Sequence, residues 1–385
     1  MVERGASRRV AVRLGAGYTI EVGAGALSGL GAAARGALGP SAARAAVVSN
    51  ARVFGLYGPA AARSLRASGF AVARWLMGDG ERFKNLRTAE RALRFLAESG
   101  VERGDAVVAL GGGVVGDLAG FAAALHLRGV AFVQVPTTLL AQIDSSVGGK
   151  TGVNTPAGKN LVGAFHQPRA VVADTATLRT LPRRELTAGW CEAIKQGAAG
   201  DARLYAQTVR FLERESSAAW PSAEAREDEL TRLVAAQCAF KARVVAGDER
   251  EDAGRTDARS RRILNFGHTV GHALEAVTRY RRFRHGEAVG WGMLAAAEIS
   301  LRLGLLGAAE LESLRAAVRL AGRLPRADDL DAETIRRALR NDKKSIGGHV
   351  RWVLIEGLGR ARIVDGREVH GRVVRASLRS ALGAG

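Results

Sequence analysis

Residues 106–120 read AVVALGGGVVGDLAG, an apolar run that meets Gly111-Gly112-Gly113 and resumes as small and aliphatic side chains. A short continuous apolar stretch stopped by glycine is the pattern of a strand buried on both faces. The residues after the glycines predict a helix over Val115–Leu125. Successive glycines let backbone approach a ligand closely, and a helix N-terminus presents N–H groups and a positive dipole end to a pyrophosphate. A plain strand-to-helix turn would use the same glycines, and the G-x-G-x-x-G fingerprint is absent. The surrounding residues must decide between the two.

Outward from this stretch, short β-type runs alternate with amphipathic ones. Strands are expected near Arg9–Arg13, Ala45–Ser49, Ala71–Leu76, Ala106–Leu110, Ala131–Val135 and Ala170–Ala173. Helices are expected near Gly58–Ser68, Thr88–Ser99, Val115–Leu125 and Thr138–Ser145. Such alternation predicts an α/β domain with a mostly parallel sheet. After Leu181-Pro182 long helical runs take over (Arg184–Gly197, Ala223–Ala246, Thr269–Val277, Ala288–Leu303, Ala308–Leu320), with a hairpin near Val350–Val364. The expected domains are therefore 1–181 and 182–385, and 385 residues suffice for two cores. DGERFK (Asp79–Lys84) and Pro136-Thr137-Thr138 follow predicted strands, putting acids, an ammonium and hydroxyls at the ends where open α/β sheets bind ligands.

Composition narrows the function. No apolar run reaches the roughly 18–20 residues that span a bilayer, and no apolar segment follows the basic N-terminus as in a signal peptide. Cys191 and Cys238 are too few for a disulfide framework, so a reducing cytoplasm is expected. A net charge of +19 raises nucleic-acid binding, but the charge is scattered and aromatics make up only 5% of the chain, poor material for base stacking. Of 57 Lys plus Arg, only Lys84, Lys150, Lys159, Lys195, Lys241, Lys343 and Lys344 are lysine. Guanidinium cannot copy a compact ammonium at a tight site, so these lysines are candidate ligands. Arg35 and Arg103, outside every motif, are expected to accept lysine.

Three histidines lie close in sequence, His268 and His272 in GHTVGH and His285 in RHGEAV. Positions four apart share a helical face, which is either decoration or half of a metal site. Glu192 sits among Trp190, Ala193 and Ile194 on an expected helix, where an unpaired carboxylate would be costly to bury. Cys191 beside it faces another way and reads as apolar filler. His126, His166, His349 and His370 read as ordinary surface or loop residues.

From Gln134 to Asn160 the chain reads QVPTTLLAQIDSSVGGKTGVNTPAGKN, suited to a polyhydroxylated, phosphorylated ligand. This segment resembles the signature of 3-dehydroquinate synthases. The resemblance extends through DGERFK, DTATLRTLP, ELTAGWCEAIKQG, FKARVV with GDERE, LNFGHTVGHALEA, HGEAVGWGM and NDKKSIGG, from about Arg9 to Gly359. All seven lysines fall inside these motifs.

The resemblance implies a Rossmann-like domain followed by a mainly helical metal-binding one. NAD is then assigned to Asp79, Gly80, Glu81, Lys84, Gly113, Val114, Val115, Gly116, Asp117, Thr137, Thr138, Lys150, Lys159, Thr177 and Thr180. Zinc or cobalt is assigned to Glu192, His268 and His285, with His272 as a substrate or proton-relay group. Substrate contacts fall to Asp144, Lys150, Asn160, Lys195, Lys241, Arg261, Asn265, His272 and one or both of Lys343 and Lys344. Arg128 is expected to reach the phosphate of a neighbouring subunit, implying a homodimer. The implied reaction converts 3-deoxy-D-arabino-heptulosonate 7-phosphate to 3-dehydroquinate by transient oxidation at C5, β-elimination of phosphate, return of the hydride and aldol closure. One departure stands out. AGRTDARS before Arg261 looks like a small insertion and leaves Arg262 as a competing candidate. Related sugar-phosphate cyclases, such as 2-epi-5-epi-valiolone synthase or 2-deoxy-scyllo-inosose synthase, and a glycerol-dehydrogenase-like oxidoreductase remain alternatives, as does a basic nucleic-acid-binding protein.

Overall fold

The computed structural model describes residues 7–252, 254–340 and 350–383. Its strands are β1 (Arg8–Val12), β2 (Tyr18–Gly23), β3 (Arg44–Asn50), β4 (Ala71–Met77), β5 (Ala106–Gly111), β6 (Ala131–Pro136), β7 (Lys150–Thr155), β8 (Gly158–Phe165), β9 (Ala170–Asp174), β10 (Arg351–Gly357) and β11 (Arg360–Asp365). Its helices are α1 (Leu30–Leu38), α2 (Ala51–Ala67), α3 (Leu86–Glu98), α4 (Gly113–Leu125), α5 (Arg183–Gly200), α6 (Ala202–Ser217), α7 (Ala223–Gly247), α8 (His268–Val277), α9 (His285–Arg302), α10 (Ala308–Ala321), α11 (Ala332–Arg340) and α12 (Gly371–Leu382). The chain divides into two compact units. One holds the residues up to Leu181 together with Pro221–Ala246, and the other holds Pro182–Trp220 with the residues from Gly247 onward.

In the first unit a seven-stranded sheet runs β1-β2-β9-β6-β5-β3-β4, with only the β1–β2 pair antiparallel. Strand β5 explains why its sequence is apolar throughout. Val107 and Ala109 join a core with Leu96, Leu118, Phe121 and Phe132 on one face, while Val108 and Leu110 join Leu30, Leu65, Val133 and Val172 on the other. Helix α2 leaves β3 on one face and α4 leaves β5 on the opposite face, so the crevice typical of ligand binding lies at the carboxyl ends of β3 and β5. Helix α2 begins seven residues before the expected Gly58, at Ala51 (58 − 51 = 7), because the Asn50 side chain caps it by accepting the N–H of Val53 at 2.8 Å. Its first turns are largely exposed, so apolar periodicity does not mark them.

Two segments depart from the sequence reading. Beyond the six strands expected from sequence, Lys150–Phe165 forms the antiparallel hairpin β7–β8, with Thr151 and Val153 buried. Helix α7, expected in the 182–385 domain, falls almost wholly in the first unit. Glu227 accepts from Thr175 at 2.5 Å, and Cys238 donates to the Gln142 carbonyl at 3.1 Å. Apolar residues Leu230, Leu233, Val234, Phe240 and Val245 of this helix are buried. Its periodicity shows an apolar face but not which partner covers it.

The second unit is built around α9, buried from Gly286 through Ser300 and packed by α5, α8, α10, α12 and β10. Hairpin β10–β11 closes it, and Ile355 N–H donates to Ser300 Oγ at 3.1 Å. Asp248 accepts from the N–H groups of Asp252 at 2.8 Å and Arg261 at 2.9 Å, fastening both ends of the insertion-like segment. Among the described residues no helix is long and apolar enough to cross a membrane.

Candidate active site

In the second unit α8 and α9 approach closely, and this contact assembles the histidines. A Cβ at Gly292 would lie 1.9 Å from the Gly267 carbonyl oxygen, so only glycine permits this crossing. Helix α8 opens with His268 and places His272 one turn on, while α9 opens with His285. Ligand atoms of all three imidazoles lie within 4.8 Å of one another. His268 Nδ1 donates to the Phe266 carbonyl at 3.3 Å, and His285 Nδ1 lies 3.4 Å from Glu275 Oε2, which accepts. Both contacts leave Nε2 as the lone-pair nitrogen that a metal requires. From α5, Glu192 brings a buried carboxylate 3.7 Å from His285 Nε2, with buried Lys195 2.5 Å from its other oxygen. Three imidazoles and a carboxylate are the nitrogen and oxygen donors that suit zinc or cobalt. The geometry brings His272 as near as the other two, so proximity does not separate it from the ligand set.

Sequence reasoning missed Glu275. It lies seven residues after His268 (275 − 268 = 7), on the same helical face, buried and against His285. A third polar residue continuing the HxxxH stripe was its signal. Cys191 is buried, and burial together with the Glu192 carboxylate raises its pKa, so it remains a thiol. Burial pushes Cys238 up to about 12 despite nearby Lys241.

In the first unit a polar network occupies the carboxyl edge of the sheet. Lys84 Nζ lies 2.5 Å from Asp117 Oδ2, just beyond the first turn of α4, and donates to Asn160 Oδ1 at 2.6 Å. Burial pulls the Lys84 pKa down, but the carboxylates of Asp117 and Glu81 outweigh it and hold the ammonium above its ordinary value. Asp79 accepts from Asn50 at 3.0 Å, and Glu81 accepts from Asn154 at 2.7 Å; Gly80 lies between them in the left-handed region (φ 95°). Gly113, Val114, Val115 and Gly116 form the start of α4, which no side chain caps. Thr137 is buried beside it, and Thr138 Oγ1 accepts from Ala141 N–H at 3.1 Å. Thr177 is buried, donating to the Asp174 carbonyl at 2.7 Å, and Thr180 shares a short hydrogen bond with Tyr57. Asp144 lies in a π-type turn, Ala141–Ser145, and pairs with buried Lys241 of α7. Such turns recur at functional sites.

The remaining candidates are dispersed. Lys150 is exposed at the start of β7, and Lys159 is half-buried in the β7–β8 hairpin. Buried Arg261 donates to the Glu249 carbonyl at 2.7 Å, Arg262 is half-buried, and Asn265 donates to Glu251 at 3.0 Å. Arg128 is exposed, with Leu127 and itself at φ 51° and 67°. His126, expected to be an ordinary surface or loop residue, is buried and bonded to the Val101 carbonyl at 3.0 Å. Lys343, Lys344 and His349 lie outside the described residues.

Comparison with known proteins agrees with these motifs along the chain. Residues 74–188 match the 3-dehydroquinate synthase N-terminal family and residues 189–345 its C-terminal counterpart. A 3-dehydroquinate synthase of Nostoc punctiforme is 45% identical over 87% of this chain and 89% of that protein. One from Geobacter metallireducens is 47% identical over 84% and 86%. Among solved structures, Streptomyces hygroscopicus 2-epi-5-epi-valiolone synthase, with NAD+ and Zn2+ bound, superposes with a TM-score of 0.80 at 26% identity, covering 98% of this chain and all of that one. A 2-deoxy-scyllo-inosose synthase gives the same TM-score at 24% identity over 97% and 99%, a likeness of fold alone. The cyclase architecture is shared with other enzymes, but identity near one half over most of both sequences is found with these 3-dehydroquinate synthases, and by it this chain belongs to the 3-dehydroquinate synthase family.

Proposed function

We propose that this chain converts 3-deoxy-D-arabino-heptulosonate 7-phosphate to 3-dehydroquinate and phosphate, using NAD and one zinc or cobalt ion. The observation that carries the proposal is the cluster of His268, His272 and His285 with the buried Glu192 carboxylate beside it. Glu192, His268 and His285 would hold the metal. The uncapped start of α4 and the Asp79–Lys84 loop would hold the dinucleotide. When bound, NAD supplies reversible hydride acceptance and the metal supplies Lewis acidity at substrate hydroxyls.

The chain's own residues bind and orient. His272, one helical turn from His268, is placed to move a proton at the substrate hydroxyl or carbon acid. Lys150, Lys195, Lys241 and Arg261 supply cations for a substrate bearing a phosphate and a carboxylate, and Asp144, Asn160 and Asn265 supply acceptors and amide donors. The buried ion pairs Lys195–Glu192 and Lys241–Asp144 hold their ammonium groups in fixed directions before substrate arrives. Arg128 projects from a strained turn beside exposed Leu125 and Leu127, and His166 ties the end of β8, with exposed Phe165, to this turn through the Val130 carbonyl at 2.8 Å. An exposed apolar patch around an arginine fits a homodimer in which Arg128 reaches the neighbour's phosphate. Two buried, protonated thiols fit a reducing cytoplasm.

Phosphate release from the heptulosonate phosphate tests this reading. It is expected to require NAD in trace amounts, to stop on chelation and to return with zinc or cobalt, with no net NADH. Turnover by metal-free protein, or stoichiometric NADH, would refute it.

A further inference from the structure

The HGEA motif contains a residue that the chemistry above leaves unused. Glu287 is fully buried on α9, just beyond His285. Its Oε1 accepts from Arg184 Nε at 2.8 Å, while Oε2 accepts from Arg184 Nη2 at 2.6 Å and from the Arg284 N–H at 2.7 Å. Arg184 Nη2 also donates to the Arg282 carbonyl at 2.9 Å. Arg184 is the second residue of α5, about two turns before Glu192 on the same helix. Between them the two helices touch through backbone, since a Cβ at Gly286 would lie 2.0 Å from the Ala188 carbonyl oxygen. The first turn of α9 is thus pinned to α5 twice, and Glu192 and His285 stand beside those pins, 3.7 Å apart.

We propose that the Arg184–Glu287 pair is a positioning device for the metal, fixing α9 on α5 so that Glu192 and His285 are held at ligating separation. The inference rests on reading Glu192, His268 and His285 as the ligands. A bidentate guanidinium–carboxylate fork restrains direction as well as distance, which a point-charge ammonium does not. A carboxylate this deeply buried is costly unless so paired, and the Arg284 N–H occupies one more of its lone pairs. The far end of α9 offers a comparison. Buried Glu298 accepts from Arg315 of α10 and from Ser380 at 2.7 Å, a similar clamp that holds no proposed ligand.

Full-length wild type, Arg184→Lys, Arg315→Lys and Glu192→Ala would be stripped of metal and titrated with cobalt, following its visible ligand-field absorption against a competing chelator. Arg184 is half-exposed, so lysine fits there without steric conflict. Arg184→Lys is expected to weaken cobalt binding about 10- to 100-fold, the range for residues that orient metal ligands, and to alter the cobalt spectrum while NAD affinity is unchanged. Arg315→Lys is expected to lower Tm while leaving cobalt affinity at the wild-type value. Unchanged affinity and spectrum in Arg184→Lys would overturn the proposal, as would equal weakening in Arg315→Lys, which would signify general loosening. Undiminished cobalt binding by Glu192→Ala would overturn the ligand assignment itself, and the positioning role with it.

Discussion

Lys150 and Lys195 carry their charge in a chain that elsewhere uses arginine freely. Lys195 is buried against Glu192, where a longer, planar guanidinium has neither the room nor the geometry of an ammonium. Misplacing a bound group by about 1 Å can cost on the order of 100-fold in rate. Lys150→Arg and Lys195→Arg are therefore expected to lower kcat/KM at least tenfold, about 1.4 kcal/mol, in the phosphate-release assay. Arg103→Lys, at an exposed position, should leave activity and stability unchanged. Arg35 is expected to differ in stability, though not in activity. Its guanidinium donates to the carbonyls of Gly39, Pro40, Ala42 and Ser68 and lies 4.0 Å from the Phe70 ring centroid. Lysine cannot reproduce that fork, so Arg35→Lys should cost about 1 kcal/mol in urea unfolding with kcat unaltered. Absence from a motif is no measure of what a side chain holds.

Lys84 joins three elements by one ammonium: the turn after β4 that carries it, α4 through Asp117, and β8 through Asn160. Removing the cation strands a partly buried carboxylate, and breaking such a pair costs on the order of 3 kcal/mol. Lys84→Met is expected to lose about that much stability in denaturant titration. The sign of its pH dependence follows from the raised pKa. A cation whose folded pKa exceeds its unfolded value stabilises fully below the unfolded value, here 10.5, and loses that contribution as pH rises through the folded one. The difference between wild type and Lys84→Met should therefore stay constant from neutral pH to about 10 and shrink above it. A difference already vanishing at pH 8 would show that the pair is not what holds these elements. DGERFK is proposed to hold the dinucleotide, and its lysine also fastens the hairpin.

At the scale of the molecule, the proposed dimer ties assembly to activity. Leu125 and Leu127, beside Arg128, and Phe165, at the end of β8 that His166 ties to Val130, are each between about 40 and 50% exposed, apolar area that the proposed dimer would cover. Leu127→Asp and Phe165→Asp are expected to yield monomers in analytical ultracentrifugation and to lose most activity, since Arg128 would no longer reach a neighbour's phosphate. A fully active monomer would remove Arg128 from the mechanism. The net charge of +19 favours solubility and capture of an anionic substrate.

By itself the sequence determined the parallel sheet, the glycine turn at Gly111–Gly113, the histidine helix and the family, because each is written within a few consecutive residues. Periodicity, capping and glycine act locally, so β5, α4 and α8 could be read where they stand. Tertiary structure decided what depends on partners distant in the chain. Helix α7 shows an apolar face in either setting, and only packing assigned it to the first unit. The lysine-rich stretch became a hairpin because β8 supplied β7 with backbone partners its own composition does not predict. Glu275 and Glu287 look like ordinary helical acids until α5, α8 and α9 converge, when burial leaves each carboxylate a partner across the interface. Residue type and spacing named the chemistry; the close approach of backbones at Gly267–Gly292 and Ala188–Gly286 set the distances over which it can act.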